Sequence, residues 1–226
     1  MPKLMALIFD LDGTLVDSAG DLRQAVNTVL AAHGRAALSL GDIKNMVGDG
    51  LRILLHRAFA STGEALPEAA ERAAMDDLLR AYQTQKASRD MLYPLAEEML
   101  AGFRARQIKI GLCTNKLYLP TLKLLDDIGI AGLFDFIAGS DTFPVFKPDP
   151  GHVLGVARAL KTPPGHCVMI GDSANDINAA RGAGIASIAV GHGYGRDVGT
   201  LGADAVIGGF GELAGALTRL GFDIGG

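Results

Sequence analysis

Residues 4–9 are Leu-Met-Ala-Leu-Ile-Phe, and this unbroken apolar run stops at Asp10-Leu11-Asp12-Gly13-Thr14. A short run with no polar alternation reads as a strand buried on both faces, the kind a parallel sheet uses. Asp10 and Asp12 stand two apart, so both carboxylates leave one side of the chain if the extended conformation persists to Asp12. Gly13 allows the tight turn that follows. Two carboxylates at the end of a buried strand repel each other, and each would sooner neutralise than sit dry beside the other. A divalent cation supplies the missing charge and leaves one carboxylate able to act as a nucleophile.

The chain has 226 residues, 49% of them hydrophobic, and a formal net charge of -4. That suits a main domain with a modest second one, and it offers no basic face for nucleic acid. Cys113 and Cys167 each sit inside an apolar segment, far apart in sequence. They read as small buried hydrophobes of a reducing compartment rather than a disulfide or a metal pair. No stretch reaches the roughly eighteen apolar residues of a membrane span. Residues 1–9 carry one lysine and no small-residue cleavage site, so no signal peptide is expected. The expectation is a cytoplasmic protein, monomeric or homodimeric, acting on a small molecule.

From residue 17 to residue 90 the texture is helical, without a convincing strand. Leu22, Ala25, Val26, Val29 and Leu30 follow a three-four spacing, Ser39 is a plausible N-cap, and Leu51, Leu54, Leu55, Ala58 and Phe59 share a face. Pro67 opens a longer helix. After Pro94, strands and helices alternate, with strands expected over residues 108–113, 134–139, 166–170, 186–190 and 205–207. Strand then helix, repeated, predicts an α/β fold: a doubly wound, Rossmann-like, mostly parallel sheet built from residues 1–16 and 91–226. A small α-helical domain, residues 17–90, is inserted after the first strand. Ligands of such sheets bind outside the carboxyl ends of the strands.

Four strand ends or adjoining loops present polar groups there: Asp10 and Asp12, Thr114 and Asn115, Lys147, and Asp172 with Asp176. Singly, each has an ordinary reading. Asp12-Gly13 is a common turn pair, Asp172 and Asp176 can cap a helix, and Lys147 can be a solvated loop lysine. Together they describe carboxylates with no thiol or histidine nearby, a hard-cation site that suits Mg²⁺ better than Zn²⁺. A lysine added to carboxylates and metal describes a site for an anionic substrate, most economically a phosphate.

Asp10-Leu11-Asp12-Gly13-Thr14-Leu15, Thr114, Lys147-Pro148 and Gly171-Asp172-Ser173-Ala174-Asn175-Asp176 resemble, in order, the four motifs of the haloacid dehalogenase-like hydrolases. The helical insert resembles that superfamily's small cap. Thr114-Asn115-Lys116, residues 146–150 and the turn at residues 47–50 look most like its phosphoglycolate phosphatases. The resemblance implies Asp10 as nucleophile forming an aspartyl-phosphate, and Asp12 as acid and then base. It implies Thr114 and the Asn115 amide on the phosphoryl oxygens, and Lys147 neutralising the transferring group. It further implies Mg²⁺ held by Asp10, Asp172 and the Asp12 carbonyl, with Asp176 orienting metal-bound water or Lys147.

Substrate choice is thinner. Gly48-Asp49-Gly50 precedes a helix whose exposed amides, with Arg52 in the first turn, would suit a small carboxylate such as that of 2-phosphoglycolate. The same residues also describe a glycine turn beside a surface arginine. A mutase or a phosphatase for another small sugar phosphate shares the core, and a phospho-acceptor signalling module would share Asp, Thr, Lys and Mg²⁺. No dinucleotide or P-loop glycine signature follows the first strand. His33, His56, His152, His166 and His192 lack metal-ligand spacing, and residues 191–195 are expected to form a flexible loop near the site.

Overall fold

The computed structural model describes residues 2–225, the side chain of Gln83 excepted. β1 (Ala6–Phe9) is fully buried and lies inside a six-stranded sheet in which every pairing is parallel. Its partners are β2 (Lys109–Cys113), β3 (Phe136–Ala138), β4 (Cys167–Gly171), β5 (Ala186–Val190) and β6 (Ala205–Ile207). The spatial order is β3-β2-β1-β4-β5-β6, so the order reverses at β1, where Phe9 faces Leu112 on one side and Ile170 on the other. This is the doubly wound order whose ligand crevice opens at the reversal.

Strand alternation divides the core. Ala6 and Ile8 pack in one cluster with Val153, Val156, Met169, Ala179 and Ala180, from the strands and from α7 (Pro150–Ala159) and α8 (Ala174–Ala183). Phe9 turns the other way and meets the ring of Phe210 edge-on at 6.3 Å, just before α9 (Leu213–Arg219). Asp149 caps α7 by accepting from the Gly151 amide at 2.7 Å, and Pro150 opens that helix without an amide to satisfy.

The described chain divides into two compact units, one comprising residues up to 17 and from 88 onward, the other residues 18–87. The second consists of α1 (Ala19–Ala32), α2 (Leu40–Lys44), α3 (Leu51–Thr62) and α4 (Glu68–Gln83). Leu22, Val26, Val29, Ile43, Leu55, Phe59 and Leu78 fill its core. Ser39 and Asp42 form a reciprocal capping box at the start of α2, which pushes the Asp42 carboxyl below its usual range through hydrogen bonds from the serine side chain and amide. α5 (Ala96–Ala105) and α6 (Tyr118–Ile128) belong to the first unit. No described helix is long and apolar enough to cross a membrane.

Candidate active site

Beyond β1 the Asp10 amide still donates to the Ile170 carbonyl at 2.9 Å, and the chain turns at residues 13–15. The Leu11 carbonyl accepts from the amides of Thr14, Leu15 and Val16, and Gly13 takes φ 86°, where a side chain would be strained. Asp12 lies just before this turn and bridges Val16. Lys147 Nζ lies 2.7 Å from Asp10 Oδ1, whereas Lys116 Nζ lies 3.1 Å from each oxygen of Asp12. Each of the two aspartates thus has an ammonium beside it, and the Asp12 charge is near enough to Asp10 to help raise its pKa.

Lys147 is buried, with a side chain only 2% exposed, and it also donates to Asp176 Oδ1 at 2.6 Å. Its main chain is held in turn by Asn115, whose Nδ2 donates to the Lys147 carbonyl at 2.8 Å. Burial works against the Lys147 charge, but Asp10 and Asp176 outweigh it and hold the ammonium above its ordinary range. Asp176 Oδ2 accepts from the Ser173 amide and hydroxyl at 3.0 and 2.7 Å, so one carboxylate both caps α8 and steadies the lysine. Thr114 is buried at the end of β2, and its hydroxyl accepts from the Lys116 amide at 3.2 Å.

Asp172 follows β4. Its Oδ2 accepts from the amides of Tyr194 and Gly195 at 2.7 and 3.3 Å, and its Oδ1 from the Thr14 hydroxyl at 3.5 Å. Carboxylate oxygens of Asp10, Asp172 and Asp176 lie within 4.8 Å of one another. Burial, opposed in part by Lys147, raises the Asp10 pKa to about 6. Burial and the neighbouring carboxylates raise Asp172 to about 8 against the pull of its two amide donors. Burial is the larger cause of both shifts, and neighbouring carboxylates add to it. Four carboxylates face two lysines, a deficit that one divalent cation would cancel, and all-oxygen donors suit a hard ion. The site can therefore hold a divalent metal. The gathered carboxylates are Asp10, Asp172 and Asp176, whereas the Asp12 side chain is turned to Lys116.

Residues 191–195 are not the loose loop expected of a glycine-rich stretch. His192 Nε2 donates to the Thr14 carbonyl at 2.9 Å, its ring lies 4.2 Å from that of Tyr93, and the Tyr194 hydroxyl donates to Asp17 at 2.9 Å. A Cβ at Gly193 would fall on the Gly13 carbonyl and the Asp172 carboxylate, and one at Gly195 on the Asp172 carbonyl. The glycines are there for close approach. Sequence reading placed this segment near the site without its hold on Asp172, and it gave Lys116 no role, although a lysine three residues beyond a buried strand was the available signal.

Arg52 lies in the first turn of α3, in the helical unit, with a 76% exposed side chain and a 3.5 Å ion pair to Glu71. The turn before it places Gly50 at φ 88°. The two cysteines are buried and unpaired, and no histidine belongs to the metal-competent cluster among the described residues.

The family described as haloacid dehalogenase-like hydrolase matches residues 4–184. A phosphoglycolate phosphatase of Caulobacter vibrioides is 39% identical over 202 residues, spanning 89% of this chain and 85% of that protein. Among solved structures, a Haemophilus somnus protein described as a predicted phosphoglycolate phosphatase superposes with TM-score 0.87 at 26% identity, covering 95% of this chain and 98% of the other. CbbY from Rhodobacter sphaeroides, crystallised with phosphate, gives TM-score 0.77 at 26% identity over 95% of this chain and 99% of that one.

Proposed function

Because the chain belongs to the haloacid dehalogenase-like hydrolases, we propose that it is a Mg²⁺-dependent phosphatase cleaving 2-phosphoglycolate to glycolate and phosphate. The reading rests on one observation above others: the Lys147 ammonium bridges Asp10 and Asp176 beside Asp172, in a cluster that lacks two positive charges. That is a place for a divalent cation and a phosphoryl group together, and a relative of the same fold was crystallised with phosphate.

Asp10 attacks phosphorus in line, forming an acyl-phosphate as the ester oxygen departs. Asp12 gives that oxygen its proton and later takes one from the water that releases phosphate. Lys147 neutralises the nucleophile and the transferring oxygens, Thr114 and the Asn115 amide hold those oxygens, and Asp176 keeps the lysine in place. Asp10, Asp172 and the Asp12 carbonyl would hold Mg²⁺, which when bound offsets the charge of carboxylates and phosphoryl oxygens. Selection among esters is assigned to the helical unit, with Arg52 as the residue that recognises a substrate carboxylate. A reducing, cytoplasmic setting suits the buried thiols of Cys113 and Cys167.

A panel of phosphate esters assayed with and without Mg²⁺ tests this reading. Free phosphate from 2-phosphoglycolate, with kcat/KM at least about tenfold above that for esters lacking the carboxylate, is the expected result. A rearranged sugar phosphate as the preferred product would instead identify a mutase.

A further inference from the structure

Lys116 is as deeply buried as Lys147, its side chain 2% exposed, and a lysine in that position is costly unless paired. Its partner is Asp12, whose two oxygens it meets at equal distances of 3.1 Å. The ammonium thus holds both oxygens of the carboxylate rather than one. The lysine itself sits on rigid chain: its amide donates to the Thr114 hydroxyl at 3.2 Å at the end of β2, and its carbonyl accepts from the Ser140 amide at 2.9 Å just beyond β3. Asp10 meanwhile has Lys147 as its own cation.

We infer that Lys116 is the positioning residue for Asp12, holding its carboxylate oriented for the leaving oxygen. The inference rests on the proposed role of Asp12. In that step a bond forms between Asp10 and phosphorus while the bond from phosphorus to the ester oxygen breaks. Asp12 enters this step as the carboxylic acid, having taken a proton from solvent; the electron pair stays on the departing oxygen, which takes that proton, and Asp12 is left as a carboxylate facing the Lys116 ammonium. Lys116 thus acts by orientation and serves leaving groups that need a proton.

The test is leaving-group dependence. kcat/KM is measured for 2-phosphoglycolate, which releases an alkoxide-type group, and for 2,4-dinitrophenyl phosphate, whose phenolate leaves unaided, in the parent, Lys116→Met and Asp12→Asn. The ratio of alkyl to aryl ester should fall by about tenfold or more in Lys116→Met, in the same sense as in Asp12→Asn, with Lys116→Arg recovering part of it. A lysine that merely supports the fold would lower both esters equally, and equal losses overturn the inference. Should Lys116→Met fail to fold, Lys116→Gln is read in the same way. A collapsed ratio in Asp12→Asn beside an intact one in the lysine variants overturns the role of Lys116 alone. An intact ratio in Asp12→Asn removes the acid role of Asp12, and the inference with it.

Discussion

The amide of Tyr194 donates to the Oδ2 atom of Asp172 at 2.7 Å, joining a residue beyond β5 to the carboxylate that ends β4. With Gly195 adding a second amide at 3.3 Å, one oxygen of Asp172 is fixed by backbone. Partners of this kind orient metal ligands, and their loss typically costs about 10–100-fold in metal affinity. Gly193→Ala should therefore weaken Mg²⁺ binding by about that factor, measured by calorimetry, with the far-UV circular dichroism unchanged. A dissociation constant within about twofold of the parent would show that the close packing of residues 191–195 has no bearing on the metal.

The raised acids make a prediction about stability. Asp10 and Asp172 have folded pKa values of about 6 and about 8, against 3.8 for an ordinary aspartate. A group held above its unfolded value stabilises fully below the unfolded pKa and loses that contribution as pH rises through the folded one. The metal-free protein should thus lose stability from about pH 4 to about pH 8, the Asp10 share ending near pH 6, each group contributing a slope of at most about 1.4 kcal/mol per pH unit. Saturating Mg²⁺ should flatten the slope, because a cation favours the ionised carboxylates. Thermal melts in EDTA and in Mg²⁺ check both statements, and an Asp172→Asn variant should show a shallower slope in EDTA. Identical slopes in that variant and the parent would remove Asp172 as the source.

Most of the fold was legible because each level of the sequence agreed with the next. The apolar run before Asp10 marked β1, and the strands over residues 109–113, 167–171 and 186–190 lie where their hydrophobic runs placed them. Asp10, Lys147, Asp172 and Asp176 could be brought to one sheet edge because a parallel sheet gathers every strand end there. What escaped depends on turn geometry and backbone contact. The meeting of Asp12 with Lys116 joins the segments that follow β1 and β2, which no spacing rule foresees. The hold of residues 191–195 on Asp172 runs through main-chain amides, so residue types there carry little sign of it beyond the glycines.

Arg52 makes a different kind of prediction, because its side chain is exposed and its ion pair with Glu71 is long. An exposed pair of this kind contributes about 0–1 kcal/mol, so Arg52→Ala should leave the melting curve nearly unchanged. If it recognises a carboxylate, the variant should lose at least about tenfold in kcat/KM for 2-phosphoglycolate while an aryl phosphate loses much less. Steady-state kinetics on the two esters decide the matter, and equal losses would take Arg52 out of substrate selection.

Everything turns on whether Asp10 carries the phosphoryl group. Rapid acid quench of the enzyme during turnover of 2-phosphoglycolate, followed by peptide mass spectrometry, should find one phosphoryl group on the peptide containing Asp10. Asp10→Asn should lack it and turn over at least about a thousandfold more slowly. Steady turnover with the phosphoryl group on another residue or on none, or an Asp10→Asn variant within about tenfold of the parent, would contradict the account.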